Sequence, residues 1–347
     1  MTSATEEIQR RKFPVFLCRG KIVGFVAIAM GLFLFVWAVY THHLNREAHS
    51  LYSKSLERDD QPPLAVTSER FAALLLLQPR ALVPLDWAAT QSNLGIVLTS
   101  LGKRENGTAR LEEAVAAYRA ALQVFTSSKQ PLQWAKAQSG LGAALQALGE
   151  RDGGTARLEE AVIAYRAALQ LYTSDHAPLQ WAMIESSLGS ALRVIGEREG
   201  GTGRLEAAVA AYQAALQVYT YQRAPLQWAA TQNSLGLVLW RIGERESGTA
   251  RLEEAVAAFQ AALREFTRER TPLQWAMTQS ALAFTLVSLG ERKVAAEQLE
   301  EAVAAYDAAL PILNSANNES YTDICRKGRE RAIALLKQMH NPITTTQ

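Results

Sequence analysis

The chain has 347 residues, 48% of them apolar, and a formal net charge of +2. So small a charge excludes bulk electrostatic attraction to nucleic acid, and no nucleic-acid partner is expected. The two cysteines, Cys18 and Cys325, stand on opposite sides of an apolar run and are expected as unpaired thiols, with no metal-ligand spacing and no cofactor.

Residues 1–21 are basic, with Arg10, Arg11, Lys12, Arg19 and Lys21 against Glu6 and Glu7. Residues 22–40, IVGFVAIAMGLFLFVWAVY, hold no charge. As a helix they rise roughly 28 Å, enough for a hydrocarbon core of about 30 Å. Trp37 and Tyr40 close the run as interfacial aromatics do. The excess of Arg and Lys before it places the N-terminus in the cytoplasm and the rest of the chain beyond the membrane. A cleaved signal peptide and a twin-arginine signal compete with this reading, but the run is long and no small-x-small cleavage site follows closely. Gly24, Ala27 and Gly31 share one helical face on which two such anchors could meet. Residues 41–63, polar and carrying His42, His43 and His49, read as a linker with solvated imidazoles.

From Pro84 the string PL(Q/D)WA recurs at Pro131, Pro178, Pro225 and Pro272, always 47 residues on. Five units therefore fill residues 84–314, and each can bury its apolar face only against its neighbours. Residues 64–83 look like a degenerate second helix capping the start, since Leu64 and Phe71 stand 47 residues before Leu111 and Tyr118. Residues 315–347 supply a charged, amphipathic closing helix and a tail.

One unit shows the design. Pro131 suits the first position of a helix, and Leu132, Trp134, Ala135, Gln138, Leu141, Leu145 and Leu148 follow at helical spacing. Gly149 is expected as its left-handed cap and Thr155 as the cap of a second helix. That helix carries Leu158, Ala161, Val162, Tyr165, Ala168 and Leu169 inward. Two antiparallel helices of some 17 residues result, and Pro311 is expected to interrupt the last of them.

The Leu141-Gly142-x-x-Leu145 and Ala161-x-x-x-Tyr165-x-x-Ala168 strings resemble the tetratricopeptide repeat signature, and the match recurs in all five units. The resemblance implies an all-α, right-handed solenoid of helical hairpins, here preceded by one transmembrane helix. The family unit has about 34 residues, whereas this one has 47, and its tryptophan sits one turn earlier. So long a variety resembles arrays of bacterial proteins, which implies an envelope setting.

No catalytic constellation emerges, and no enzyme is expected. The row of Trp87, Trp134, Trp181, Trp228 and Trp275 is expected in the core, each ring on the aromatic closing the preceding second helix, as Trp134 on Phe125. The recurrent pairs Glu150-Arg151, Glu197-Arg198, Glu244-Arg245 and Glu291-Arg292 are expected as a salt-bridge ladder at the turns. Positions two and five residues after the Leu-Gly leucine vary between units: Ile96 and Thr99, Ala143 and Gln146, Ser190 and Arg193, Leu237 and Trp240, Phe284 and Val287. By resemblance this face lines the concave groove, where Trp240, Arg193 and Arg241 would anchor a protein partner. The expected function is a membrane-anchored scaffold for protein partners, with a self-associating envelope element, a homo-oligomer, as the alternative.

Overall fold

The computed structural model describes the backbone over residues 15–58, 61–316 and 319–340, and side chains over 30–48, 50–53, 64–316 and 319–340. Among the described residues there are thirteen helices and no strand. After α1 (Val15–Arg58) and α2 (Gln61–Leu77) come five hairpins: α3 (Pro84–Arg104) with α4 (Ala109–Leu122), α5 (Pro131–Arg151) with α6 (Ala156–Leu169), α7 (Pro178–Glu199) with α8 (Gly203–Leu216), α9 (Pro225–Arg245) with α10 (Ala250–Leu263), and α11 (Pro272–Lys293) with α12 (Ala296–Ser315). α13 (Glu319–His340) follows. Each helix packs on the next in the chain, and each first helix from α3 to α11 also touches the first helix that follows it, α13 standing last in the row. No two successive second helices share an interface of that kind. The first helices therefore line the tighter, inner wall of the solenoid.

The hairpins are less symmetric than their sequence suggests. The first helices of the five hairpins run 21 or 22 residues, and the second helices of the first four only 14. Gly149 does not cap α5, which continues to Arg151; its missing side chain lets α6 approach, for a Cβ there would stand 2.9 Å from Leu158. Gly142 does the same for Tyr165, at 2.7 Å. The left-handed glycines are Gly153 and Gly200, beyond the helix ends. Thr155 occupies the cap position of α6, but its hydroxyl makes no capping bond; its carbonyl accepts the Glu159 N–H instead. Pro311 does not stop α12, which runs on to Ser315 because Leu313, fully buried, holds it against the array.

The turn arginines join the units, and not by pairing with the glutamate beside them. Arg198 donates to Gly149 O at 2.8 Å, to Glu150 O at 3.2 Å and to Gly154 O, all in the preceding unit. Arg151, Arg245 and Arg292 reach back in the same way to Gly102 and Gly107, Gly196 and Gly201, and Gly248. A helix leaves its last carbonyls without partners, and a cation is favoured there. One guanidinium thus satisfies the helix end and the turn of the neighbour before it. The ion-pair ladder lies on the second helices instead, as Arg204–Glu159 at 2.6 Å and Arg251–Glu206 at 3.0 Å.

At the start of the array the expected linker is absent over 41–58, where α1 remains helical. Leu44 and Ala48 are buried with Leu64, Phe71, Leu74, Val97 and Leu101, so this part of α1 is the first helix of an additional hairpin with α2. The period explains it: Ala48 stands 47 residues before Gly95, as Phe71 stands before Tyr118, and Ala48 and Phe71 share one buried cluster. Trp37 Nε1 donates to Leu77 O at 2.8 Å and ties α1 to the end of α2. Among the described residues no helix is long and apolar enough to cross a membrane. The expected span, 22–40, falls partly on side chains outside them, as does the small-residue face at Gly24 and Ala27. In its described part Met30, Leu32, Phe33, Leu34, Phe35, Val36, Val39 and Tyr40 are exposed.

Candidate partner-binding face

The variable positions sit on the inner wall, but they are tied first to the aromatic of their own second helix. The Tyr118 hydroxyl pairs with Thr99, Tyr165 donates to Gln146 Oε1 at 2.9 Å, and Tyr212 bonds Ser190, Arg193 and Ser234. Burial raises the pKa of all three tyrosines above the ordinary phenol value, so each hydroxyl stays protonated and can donate. Burial opposes the Arg193 charge, but Glu197, at 2.7 Å, and the Tyr212 hydroxyl outweigh it and raise its pKa.

The fourth unit breaks this pattern as a set. Trp240 replaces the polar partner, Phe259 replaces the tyrosine, and Ala281 stands where Ser187 and Ser234 face the hydroxyl from the following unit. Donor and acceptors disappear together, which is what the cost of an unpaired buried hydroxyl demands. In the fifth unit Val287 faces Tyr306, whose buried hydroxyl has no partner.

These exceptions meet in one cleft. Trp240, Phe284, Val287 and Tyr306 line a hollow of about 300 Å³, with Ile324 and Gly328 of α13 opposite and Glu244, Lys327 and Arg331 at its rim. Trp240 and Phe284 stack at 6.2 Å between centroids, and Phe284 meets Tyr306 edge-on at 5.3 Å. The Arg241 guanidinium lies over the Trp240 ring at 4.4 Å, within cation–π range. Glu197 links Arg241, at 3.7 Å, to Arg193. The buried Trp240 Nε1 lacks an acceptor.

The expected groove residues therefore divide. Trp240, Phe284 and Val287 come together in the cleft, with Arg241 exposed beside it. Thr99 is buried and donates to Gly95 O at 2.7 Å, which removes it from the surface. Gln146, Ser190 and Arg193 are partly buried and engaged with Tyr165, Tyr212 and Glu197. Ile96 and Leu237 lie half-buried on the core. The five tryptophans are half-buried: Trp181 and Trp228 pack on the group around Tyr219, and Trp228 and Trp275 on that around Phe266. Tyr306, Ile324, Lys327 and Gly328 escaped the sequence reading, although Glu319 stands 47 residues after Pro272 and marks α13 as a further first helix.

A family model described as tetratricopeptide repeat matches residues 87–125, the hairpin from Trp87 to Phe125. No curated protein matches the sequence. Among solved structures, BtubC (BKLC) from P. vanneervenii is similar at 18% identity and TM-score 0.43, over 80% of this chain and 91% of that one. The TPR2AB-domain:pHSP90-complex of yeast Sti1 is similar at 15% identity and TM-score 0.29, over 85% and 99%. One hairpin of this chain thus matches the tetratricopeptide repeat, and its neighbours reuse the same glycine, leucine and aromatic contacts every 47 residues, so the array is a tetratricopeptide-like helical solenoid.

Proposed function

We propose that the chain is a non-enzymatic scaffold, held in a membrane by the apolar part of α1, that binds protein partners on its inner wall. The reading rests on one observation above others: the cleft at Trp240 combines an aromatic floor with a buried indole N–H that no protein atom accepts. Buried donors are nearly always satisfied, so a carbonyl or carboxylate arriving with a partner segment fits there. An apolar side chain of that segment would fill the hollow, with Arg241 and Lys327 at its margin. Aromatic and arginine anchors of this kind dominate binding energy at interfaces. The basic residues before residue 22 and the exposed apolar side chains over 30–40 support the anchor, with the array outside the cytoplasm.

Replacing Trp240 and Arg241 together with Ala should weaken partner capture at least about 100-fold if both act as hot spots of about 2 kcal/mol or more. Affinity capture after cross-linking in the native cell measures it, with helicity by circular dichroism as the control. Undiminished capture by a folded variant removes the cleft from the binding site.

A further inference from the structure

We propose that the edge of the array carrying the N-termini of the first helices lies on the surface of the bilayer that holds α1. This interaction rests on the anchor proposed above. α1 determines which edge is meant: Trp37 stands 47 residues before Pro84, so the half of α1 before Trp37 projects past the level at which the first helices begin. The bond from Trp37 to Leu77 O fixes α1 to the array at that level. Because α1 is helical throughout, no flexible joint separates the apolar segment from the hairpin it forms with α2.

That edge has the composition of an interfacial surface. Leu85, Leu132, Leu179, Leu226 and Leu273, one from each unit, are 41% to 57% exposed. Each is the second residue of its helix and is leucine in every unit, although none belongs to the buried core, whereas the inner-wall positions change freely. Leu76 and Leu82, in and just after the end of α2, are 87% and 75% exposed. Single exposed leucines are ordinary on a soluble surface, but a row along one edge is not. Aromatic rings with guanidinium groups over them lie among the leucines: Arg80 over Trp87 at 5.2 Å, and Arg264 over Tyr221 at 4.9 Å and Trp228 at 5.7 Å. Rings and long cationic side chains of this kind favour the headgroup region.

Charge on the leucine edge suits the same surface. The connections on the leucine edge, residues 78–83, 123–130, 170–177, 217–224 and 264–271, hold six Arg or Lys against three Asp or Glu. Those on the opposite edge, residues 105–108, 152–155, 200–202, 246–249 and 294–295, hold three acids, and Arg151, Arg198, Arg245 and Arg292 beside them are engaged with carbonyls of the preceding unit. An anionic bilayer attracts the first edge. The leucines then sink among the headgroups while the Gly-Thr turns point away, and the inner wall is held at a set attitude to the membrane.

The full chain can test this after reconstitution into vesicles of phosphatidylethanolamine and phosphatidylglycerol. A Cys18→Ser background leaves only Cys325, which is fully buried. An environment-sensitive fluorophore is placed in turn at Leu82→Cys, Leu132→Cys, Gly107→Cys and Phe35→Cys, and nitroxide lipids serve as quenchers. The label at position 35 should lose most of its emission to acyl-chain nitroxides. Labels at 82 and 132 should lose most of theirs to headgroup nitroxides, and that at 107 should lose none. Quenching at 35 with none at 82 and 132 overturns the docked edge, leaves the anchor standing and gives the leucine row to a protein partner. An unquenched label at 35 overturns the anchor, and the docked edge with it.

Discussion

Replacing Tyr212 with Ala is expected to destabilise the array by about 3–5 kcal/mol, the range for truncating a buried aromatic in a core. Tyr212 is 2% exposed, and its ring lies against Gly189, where a Cβ would stand 3.1 Å away. Its hydroxyl bonds Ser190, Arg193 and Ser234, so truncation empties the ring's volume and strips polar groups of a buried partner. Tyr212→Phe keeps the ring and should cost only about 1–3 kcal/mol, the penalty for leaving buried polar groups unsatisfied. The position also matters for cooperativity. Stability in such an array is a sum over units and the interfaces between neighbours, and Tyr212 bonds residues of both its own and the following unit. A thermal melt followed by circular dichroism should separate into two transitions for Tyr212→Ala and remain single for Tyr212→Phe. A Tyr212→Ala protein that melts as the parent does would refute the role given to the ring.

The second large effect is expected at Arg198, whose removal should cost about 1.5–3 kcal/mol, the range for hydrogen bonds to a charged group. Its guanidinium meets the carbonyls of Gly149, Glu150 and Gly154, and truncation returns the end of α5 to its unsatisfied state. Arg198→Lys should recover only part of the loss, because a single ammonium cannot reproduce the planar fork that spans the helix end and the turn. Arg292 reaches Gly248 O alone, at 2.7 Å, and Arg292→Ala should cost less than Arg198→Ala. Urea unfolding gives the stabilities, and amide exchange at the C-terminal end of α5 locates the defect. Equal stability of Arg198→Ala and the parent would mean that water replaces the clamp without loss.

Much of this was legible in the sequence. The 47-residue period located the five hairpins from α3 to α12, and proline marked the start of each first helix from α3 to α11. The two ends were less legible because the marker residues are gone. Trp37 and Glu319 stand in the proline register, and α1 and α13 fill the places of first helices without any PLQWA string. A polar stretch with three histidines reads as a linker when only local composition is weighed, yet Leu44 and Ala48 at helical spacing suffice to dock it. The glycines misled for another reason. Near a helix end glycine suggests a left-handed cap, whereas Gly149 serves close packing against Leu158, a contact between helices that one helix's pattern does not contain. For the site, variation between units singled out Trp240, which lines the cleft, but not why it varies. The link between Trp240, Phe259 and Ala281 becomes visible only when two consecutive units are superposed on one aromatic position. Thr99 and Arg193, variable for the same reason, serve tyrosine hydroxyls and not an open surface.

Protein partners are expected to bind the inner wall at the Trp240 cleft. Site-specific photo-cross-linking in the native cell tests it most directly, with the photoreactive residue at Ser288, which lines the cleft, or at Ile163, which is 68% exposed on the second helix α6. Adducts with protein partners at 288 and none at 163 are predicted. Adducts at 163 with none at 288 would place binding on the outer wall and remove the cleft from the binding site.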